Sequence, residues 1–387
     1  MSHSFLARFH RKTSPSHEFF WVCVTSLLPI AILYLPFLFH LKHIFFLTVK
    51  DTGFVNILRN WDGPHYIVIA RTFYDIPAVE KLLFTSIPAS YYPAHFPLYP
   101  IAISMLAPIL GYFHAGLAIN LLFGVLLNGL FYTVAKKFTQ HPLLLTFVFT
   151  VFPGRFFITR AIVAPETMMV FFMLLALVLW EEKKFLASSV YGSIGMLSKV
   201  KAGFLFPAFV AERIEAYLIH RHSFDIRSLW SVLIPTTFLG LCIFYFFRTG
   251  DFFAFFSAEK GNNLFVTFPF AQFNSASVWA GTAWLEDVVF YFAGMFLLIM
   301  TLAQSKTHRS WFYFALIYTA FLVFVPQRDI TRFSYPLYPL FLLTFERFFT
   351  SKAWKYTLIC ILPAIFMYAW NFILQNQAPI ANLAPFL

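Results

Sequence analysis

Charge is the scarcest thing in this sequence. Asp, Glu, Lys and Arg make up only 12% of its 387 residues, about half the share of a soluble domain. That is too little to solvate a water-facing surface of this size. Cysteine is scarce as well. Cys23, Cys242 and Cys360 each lie inside an apolar run, which leaves no disulfide framework, CxxC pair or cysteine metal site to read. With 15 glycines the chain holds no GxGxxG, no P-loop and no HExxH, and its histidines show no metal-ligand spacing. A nucleotide-sugar donor bound inside is disfavoured on that ground. No N-x-[ST] sequon occurs and no internal repeat is evident. The ten-residue alternation of an outer-membrane barrel is missing too.

Hydrophobic residues fill 60% of the chain and aromatics 21%, and mean hydropathy is +0.72. The apolar stretches run long and unbroken, so helices are how this backbone satisfies its polar groups in lipid. Candidate segments lie at 19–41, 97–111, 115–135, 141–153, 165–181, 185–198, 203–219, 229–247, 279–303, 311–326, 333–349 and 354–374. With about 20 residues per crossing, this reads as an all-α polytopic membrane protein of about eleven (10–12) transmembrane helices. The first segment follows a basic stretch (Arg8, Arg11, Lys12) and has no small-residue cleavage site, so it reads as a retained signal anchor.

The net charge of +11 speaks for topology and not for nucleic acid. With the N-terminus cytoplasmic, the loops 136–140, 182–184, 212–228, 304–310 and 346–355 share its side. Together with it they hold over half of the 28 Lys and Arg, as the positive-inside rule expects. Parity requires the short, proline-bearing segment 97–111 to be partial or re-entrant. Two long loops, 42–96 and 248–278, then face outside. So do 154–164 (Arg155, Arg160), Glu166 just inside its helix, Lys199, Lys201 and Arg328–Arg332. Ordered loops of this length are usually functional, and charges held against a bilayer mark a pathway or a site.

Asn60-Trp61-Asp62-Gly63-Pro64-His65-Tyr66 opens a helical stretch to about Tyr74. Its apolar stripe predicts an amphipathic helix lying in the membrane interface. Asp62 stands at the N-cap with Pro64 in the first turn. Two roles are open to it: a helix cap, or a carboxylate presented at the membrane surface. Downstream, Tyr91-Tyr92-Pro93-Ala94-His95-Phe96-Pro97-Leu98-Tyr99-Pro100 is stiffened by three prolines. Glu286-Asp287, at the mouth of 279–303, is a rival acidic pair. It suits a divalent cation or, in the preferred reading, complements a helix dipole.

The pair WDGPHYxxIA and HFPLYP resembles the first outer loop of PIG-V-type mannosyltransferases, integral-membrane glycosyltransferases of the GT-C superfamily. Further matches follow in the same order. Ala164-Pro165-Glu166 resembles the family's Pro- or Tyr-then-Glu step. Leu197-Ser198-Lys199-Val200-Lys201-Ala202-Gly203 stands at its Arg-Pro-small-Gly turn, and Thr249-Gly250-Asp251-Phe252-Phe253 at its Gly-Asp-Pro loop. Arg332-Phe333-Ser334-Tyr335-Pro336 stands at its C-terminal Arg…Pro segment. The likeness covers about 60–340. The turn departs from the family, with Ser-Lys-Val-Lys in place of Arg-Pro. So does Ser257-Ala258-Glu259-Lys260, where a Gln-containing step is common, and the first loop lacks a DxD-like pair, offering only Asp62 and the more distant Asp51.

The resemblance implies a single transmembrane glycosyltransferase domain over 1–387, moving a sugar, mannose by family, from a polyprenyl-phosphate donor to a glycolipid or glycan acceptor with inversion. The leaving group is already anionic, so one of a glycosidase's two carboxylates is unnecessary. What remains is a general base and a cationic clamp for the phosphate. Asp62 is the expected base, with Lys199, Lys201, Arg328 and Arg332 as the clamp. Trp61, His65, His95, Glu166 and Asp251 are the candidates for sugar or acceptor binding, Glu166 having a second role open as partner of Arg160. No cofactor is assigned, a divalent cation being the one candidate. The site would be extracytoplasmic or lumenal, in the plasma membrane of a bacterium or the endoplasmic reticulum of a eukaryote. A transporter or flippase would carry ionisable residues near span centres; here they gather at span ends on one side. An inactive scaffold of the same fold keeps the same motifs.

Overall fold

The computed structural model describes residues 15–49, 53–82, 87–219, 225–261, 268–273, 285–327 and 329–378. Nearly all regular structure in them is helical. α1 (Pro15–Leu38) is followed by a small hairpin, His43–Ile44 against Leu47–Thr48. The first long loop then folds into α2 (Val55–Leu58), α3 (Gly63–Thr72) and α4 (Ile76–Lys81). Gly111, at φ 75° and ψ 159°, turns α5 (Leu98–Leu110) into α6 (Tyr112–Ala135), a conformation that only glycine adopts without strain. α7 (Pro142–Val151) and α8 (Gly154–Ala161) meet at a 79° bend, where Pro153 has no N–H to continue the ladder.

α9 (Glu166–Glu181), α10 (Phe185–Ser198) and α11 (Leu205–Leu218) follow. α12 (Leu233–Thr249) ends on Gly250 in the left-handed region, the usual helix stop. α13 (Ala254–Gly261) belongs to the second long loop. α14 (Leu285–Ala303) and α15 (Arg309–Val323) precede a broken run, α16 (Ile330–Phe333), α17 (Tyr338–Thr344) and α18 (Glu346–Phe349), and α19 (Lys352–Gln375) closes the bundle.

Among the described residues five helices are long and apolar enough to cross a membrane: Ser16–Leu38, Tyr112–Ala135, Ile226–Thr249, Leu285–Ala303 and Lys352–Gln375. The bent α7–α8 pair makes a sixth if it is one span. The expected eleven would need the shorter apolar helices as well. Met105, Ile109, Phe247, Phe290 and Ile359 point outward, each more than half exposed, on a molecule with little polar surface to offset them. Apolar patches of that kind are built for lipid. The chain is an integral membrane protein.

Charges at several helix ends pair across the bundle. Glu18 pairs with Lys136 at 2.9 Å, Lys137 with Glu182 at 3.6 Å and Arg309 with Glu215 at 2.7 Å. These residues come from the loops assigned to the cytoplasm. α9 has Glu166 as its first residue and Glu181 as its last, so its 16 residues hold the two charged ends about 24 Å apart.

Three expectations are corrected. α3 is not an amphipathic interface helix: of its ten residues only Arg71 is exposed, because α5 and α6 pack over it. It also stops at Thr72, where Phe73 and Tyr74 turn left-handed. Segment 154–164 is no outer loop but largely the buried helix α8, inside which Arg160 donates to Asn128 Oδ1 (2.7 Å) and Phe149 O (3.2 Å). Segment 333–349 is not one helix, since Pro336 and Pro339 cannot donate to a continuous ladder.

Candidate active site

The first long loop reaches the site through a strained residue. Trp61 has φ 53°, uncommon for a bulky side chain, and it swings Asp62 to the start of α3. Asp62 does not cap that helix with its side chain. Its Oδ2 instead accepts from Arg332 Nη2 at 2.6 Å. Arg332 lies on α16, whose N-terminus is capped by Asp329. The same guanidinium reaches Glu166 Oε1, from Nη2 at 2.7 Å and from Nε at 2.9 Å. Lys199 Nζ stands 3.1 Å from that oxygen.

Glu166 is fully buried at the first residue of α9, where the helix dipole favours an anion. It supports two cations from beneath and is not a sugar-binding group. Nor is it the partner of Arg160, whose guanidinium stacks between Phe149 and Phe156, 4.4 Å from each ring centroid. Arg155 pairs with Asp329 at 2.6 Å. Trp61 is likewise unavailable as a sugar platform: the guanidiniums of Arg155 and Arg332 lie 3.8 and 4.2 Å from its ring centroid.

This cluster opens on a cavity of about 490 Å³. Asp62, Tyr91, His95, Lys199, Lys201, Glu259 and Arg332 supply its polar lining; Phe204, Ile234, Phe238, Phe255, Phe256 and Phe321 are among its apolar walls. Lys201 is buried with its ammonium 3.7 Å from the Phe333 ring centroid. His65 packs against Tyr91, Tyr92 and His95, with ring centroids 5.6–5.7 Å away, and backs the wall. Asp251 stays outside. Its carboxylate accepts from Phe253 N (2.8 Å) and Ser257 Oγ (2.9 Å), which secures the start of α13. Arg328 and Asp51 lie outside the described residues.

Electrostatics divide the titratable groups sharply. Burial alone would raise the Asp62 carboxyl, but Arg332, with His95 and Lys199, overrides it and holds Asp62 well below the usual carboxylate range. Burial pushes Glu259 the other way, up to about 7, against the pull of Lys199 and Lys201. It lowers His95 to about 3 and Lys201 well below an ordinary lysine, with Lys199 and Arg332 repelling the latter. Glu259 is the residue that sequence reasoning missed. Beside exposed Lys260 it looks like a surface pair; the phenylalanine run 252–256 just before it was the available signal.

No family model and no curated protein matches the sequence. Solved structures do match. The oligosaccharyltransferase of Archaeoglobus fulgidus in complex with zinc and sulfate superposes with TM-score 0.54 at 13% identity, over 92% of this chain and 54% of that one. Its apo form gives 0.53 at 14%, over 94% and 57%. The same protein, AglB, with an inhibitory peptide and a dolichol-phosphate gives 0.53 at 13%, over 95% and 57%. The chain shares the fold of the part of these neighbours that it covers. It spans a little over half the length of these neighbours, and at such identity the likeness speaks for fold alone. The PIG-V-type resemblance rests on its motifs.

One of these GT-C neighbours was solved with zinc. Here the group between the two inner carboxylates is the Arg332 guanidinium. Among the described residues no three of His, Cys, Asp and Glu converge as metal ligands, and Glu286 and Asp287 are exposed in the first turn of α14. These described residues do not form a site for a divalent cation.

Proposed function

We propose that the chain is a glycosyltransferase that moves a sugar, mannose by the motif resemblance, from a polyprenyl-phosphate donor to a glycolipid or glycan acceptor on the extracytoplasmic or lumenal face. One observation carries this: Arg332 and Lys199, anchored on Glu166, meet Asp62 at the mouth of a cavity with aromatic walls. Such a cavity suits a ligand with an anionic head and an apolar tail, as a lipid phosphate has. AglB, which shares this fold, was solved in complex with a dolichol-phosphate, which supports the reading.

Arg332 offers a planar fork to phosphate oxygens, and Lys199 and Lys201 act as point charges. Held in place before the reaction, they stabilise the negative charge that grows on the leaving phosphate. Lys201, desolvated and without a carboxylate partner among the described residues, becomes favourably charged when the phosphate arrives. Two carboxylates, Asp62 and Glu259, line the cavity where the acceptor hydroxyl must lose its proton. The motif resemblance gives that task to Asp62.

The test is donor turnover. Purified protein in nanodiscs receives polyprenyl-phosphate mannose, polyprenyl-phosphate glucose or GDP-mannose, with native lipid extract as acceptor, and mass spectrometry follows both substrates. Loss of a lipid-linked donor with a new glycosylated product is expected. If no donor is consumed, the reading fails.

A further inference from the structure

We propose that Glu259, and not Asp62, is the base that takes the proton from the acceptor hydroxyl; this rests on the glycosyltransferase reading above. Both residues line the same cavity, but their lone pairs differ in availability. Asp62 Oδ2 is engaged by Arg332 at 2.6 Å. Glu259 Oε2 is buried and has no hydrogen-bond partner among the described residues. Its helix is held rigidly: Asp251 secures the start of α13, and Phe255 packs edge-on against Phe96 (5.2 Å) and Phe238 (5.7 Å). A base needs a free lone pair, a fixed position and a proton affinity near the working pH. Two carboxylates whose surroundings drive them apart commonly divide the work into ionised stabiliser and proton acceptor. The Glu259 carboxyl, raised to about 7 by burial, suits the second role. Asp62, held ionised, suits the first.

Among the described residues, Lys199 and Lys201 act most directly on the Glu259 charge. Asp62, His95, Lys199, Lys201 and Arg332 share its cavity, as does Tyr91 on the 3₁₀ turn Ala89–Ala94 packed against α13. α12 brings Tyr245, and Arg248, whose guanidinium is spent on the carbonyls of Thr72 and Phe73. α13 itself adds exposed Lys260. In the step, the acceptor O–H proton passes to the Glu259 carboxylate as the acceptor oxygen bonds to the anomeric carbon. The bond from that carbon to the phosphate oxygen breaks, and its electron pair leaves with the polyprenyl phosphate beside Arg332 and Lys199. Glu259 then returns its proton to water.

The experiment is the pH profile of kcat, with polyprenyl-phosphate mannose and lipid-extract acceptor in nanodiscs, for wild type, Glu259→Gln, Glu259→Asp and Asp62→Asn. Wild type is expected to lose activity below an acid limb near pH 7. Glu259→Gln loses about 10²–10⁴-fold in kcat and the limb, with little change in donor KM. Glu259→Asp keeps a limb at reduced kcat, which preserves the test if the glutamine variant does not fold. Asp62→Asn loses activity but keeps the limb. A limb that survives in Glu259→Gln, or that disappears in Asp62→Asn alone, overturns the assignment and leaves the glycosyltransferase reading intact. Wild type that consumes no lipid-phosphate donor at any pH overturns both.

Discussion

Arg332 Nη2 meets Asp62 Oδ2 at 2.6 Å across 270 residues of sequence. The contact joins the first long loop to the C-terminal helices, and the same guanidinium continues to Glu166. Asp62 and Glu166 therefore orient one arginine toward the cavity.

Arg332→Lys keeps the charge and loses the fork. Lysine cannot satisfy Asp62 and Glu166 while presenting donors to a phosphate. Donor turnover, kcat/KM, is expected to fall about 10²–10³-fold, the cost of one preorganised donor, with the protein still folded. Turnover at wild-type level would show that the phosphate is held elsewhere.

Glu166→Gln removes the anion beneath Arg332 and Lys199. A buried pair broken from one side costs about 3–5 kcal/mol, so the thermal midpoint in detergent should drop by several degrees. An unchanged midpoint would mean that the two cations do not depend on Glu166.

Lys201→Met tests a buried cation that has no carboxylate partner among the described residues. Desolvation is released and the apolar stem is kept, so the midpoint should hold or rise. Donor KM should increase at least about tenfold, the worth of one charge-assisted contact. A lower midpoint with unaltered KM would make Lys201 a structural residue stacked on Phe333.

His95 and Glu259 impose opposite pH dependences on stability. His95 titrates near 3 when folded and near 6.5 when unfolded. Between those values the unfolded chain binds more protons, so the His95 contribution is complete above 6.5 and is lost as pH falls. Glu259 titrates at about 7 when folded, against an ordinary glutamate value of 4.5. The folded chain binds more protons there, so its contribution is complete below 4.5 and is lost as pH rises toward 7. From pH 4.5 to 6.5 the two oppose each other. Denaturant titrations should show stability rising with pH in Glu259→Gln and falling with pH in His95→Phe. The same slope in both variants would refute the assignment of either group.

Much of the fold was legible because lipid leaves the backbone few choices. The apolar runs at 19–41, 115–135 and 354–374 became α1, α6 and α19 within a few residues, and Lys136, Lys137 and Arg309 from one set of loops pair with Glu18, Glu182 and Glu215 from the same set. Three things were not legible. The stripe of α3 could not report that α5 and α6 would cover its polar side. Arg160 looked like a loop charge because nothing local shows that Asn128 and the Phe149 carbonyl await it. Glu259 stood out only as part of a departure from the family pattern, because nothing local shows that it shares a cavity with His95 and Lys199, 164 and 60 positions away.

Composition and patterning alone determined that this chain lives in a membrane and that it is helical, and the motif resemblance pointed to Asp62, Lys199, Lys201 and Arg332 as the residues to watch. The first two follow from residue type: hydrocarbon excludes unpaired backbone, and charge near it is too costly to be idle. Which carboxylate is bound and which is free was decided only by the tertiary structure. Asp62 and Glu259 are both carboxylates on a loop. Long-range packing sets a guanidinium against one and phenylalanine rings around the other, and their proton affinities separate accordingly.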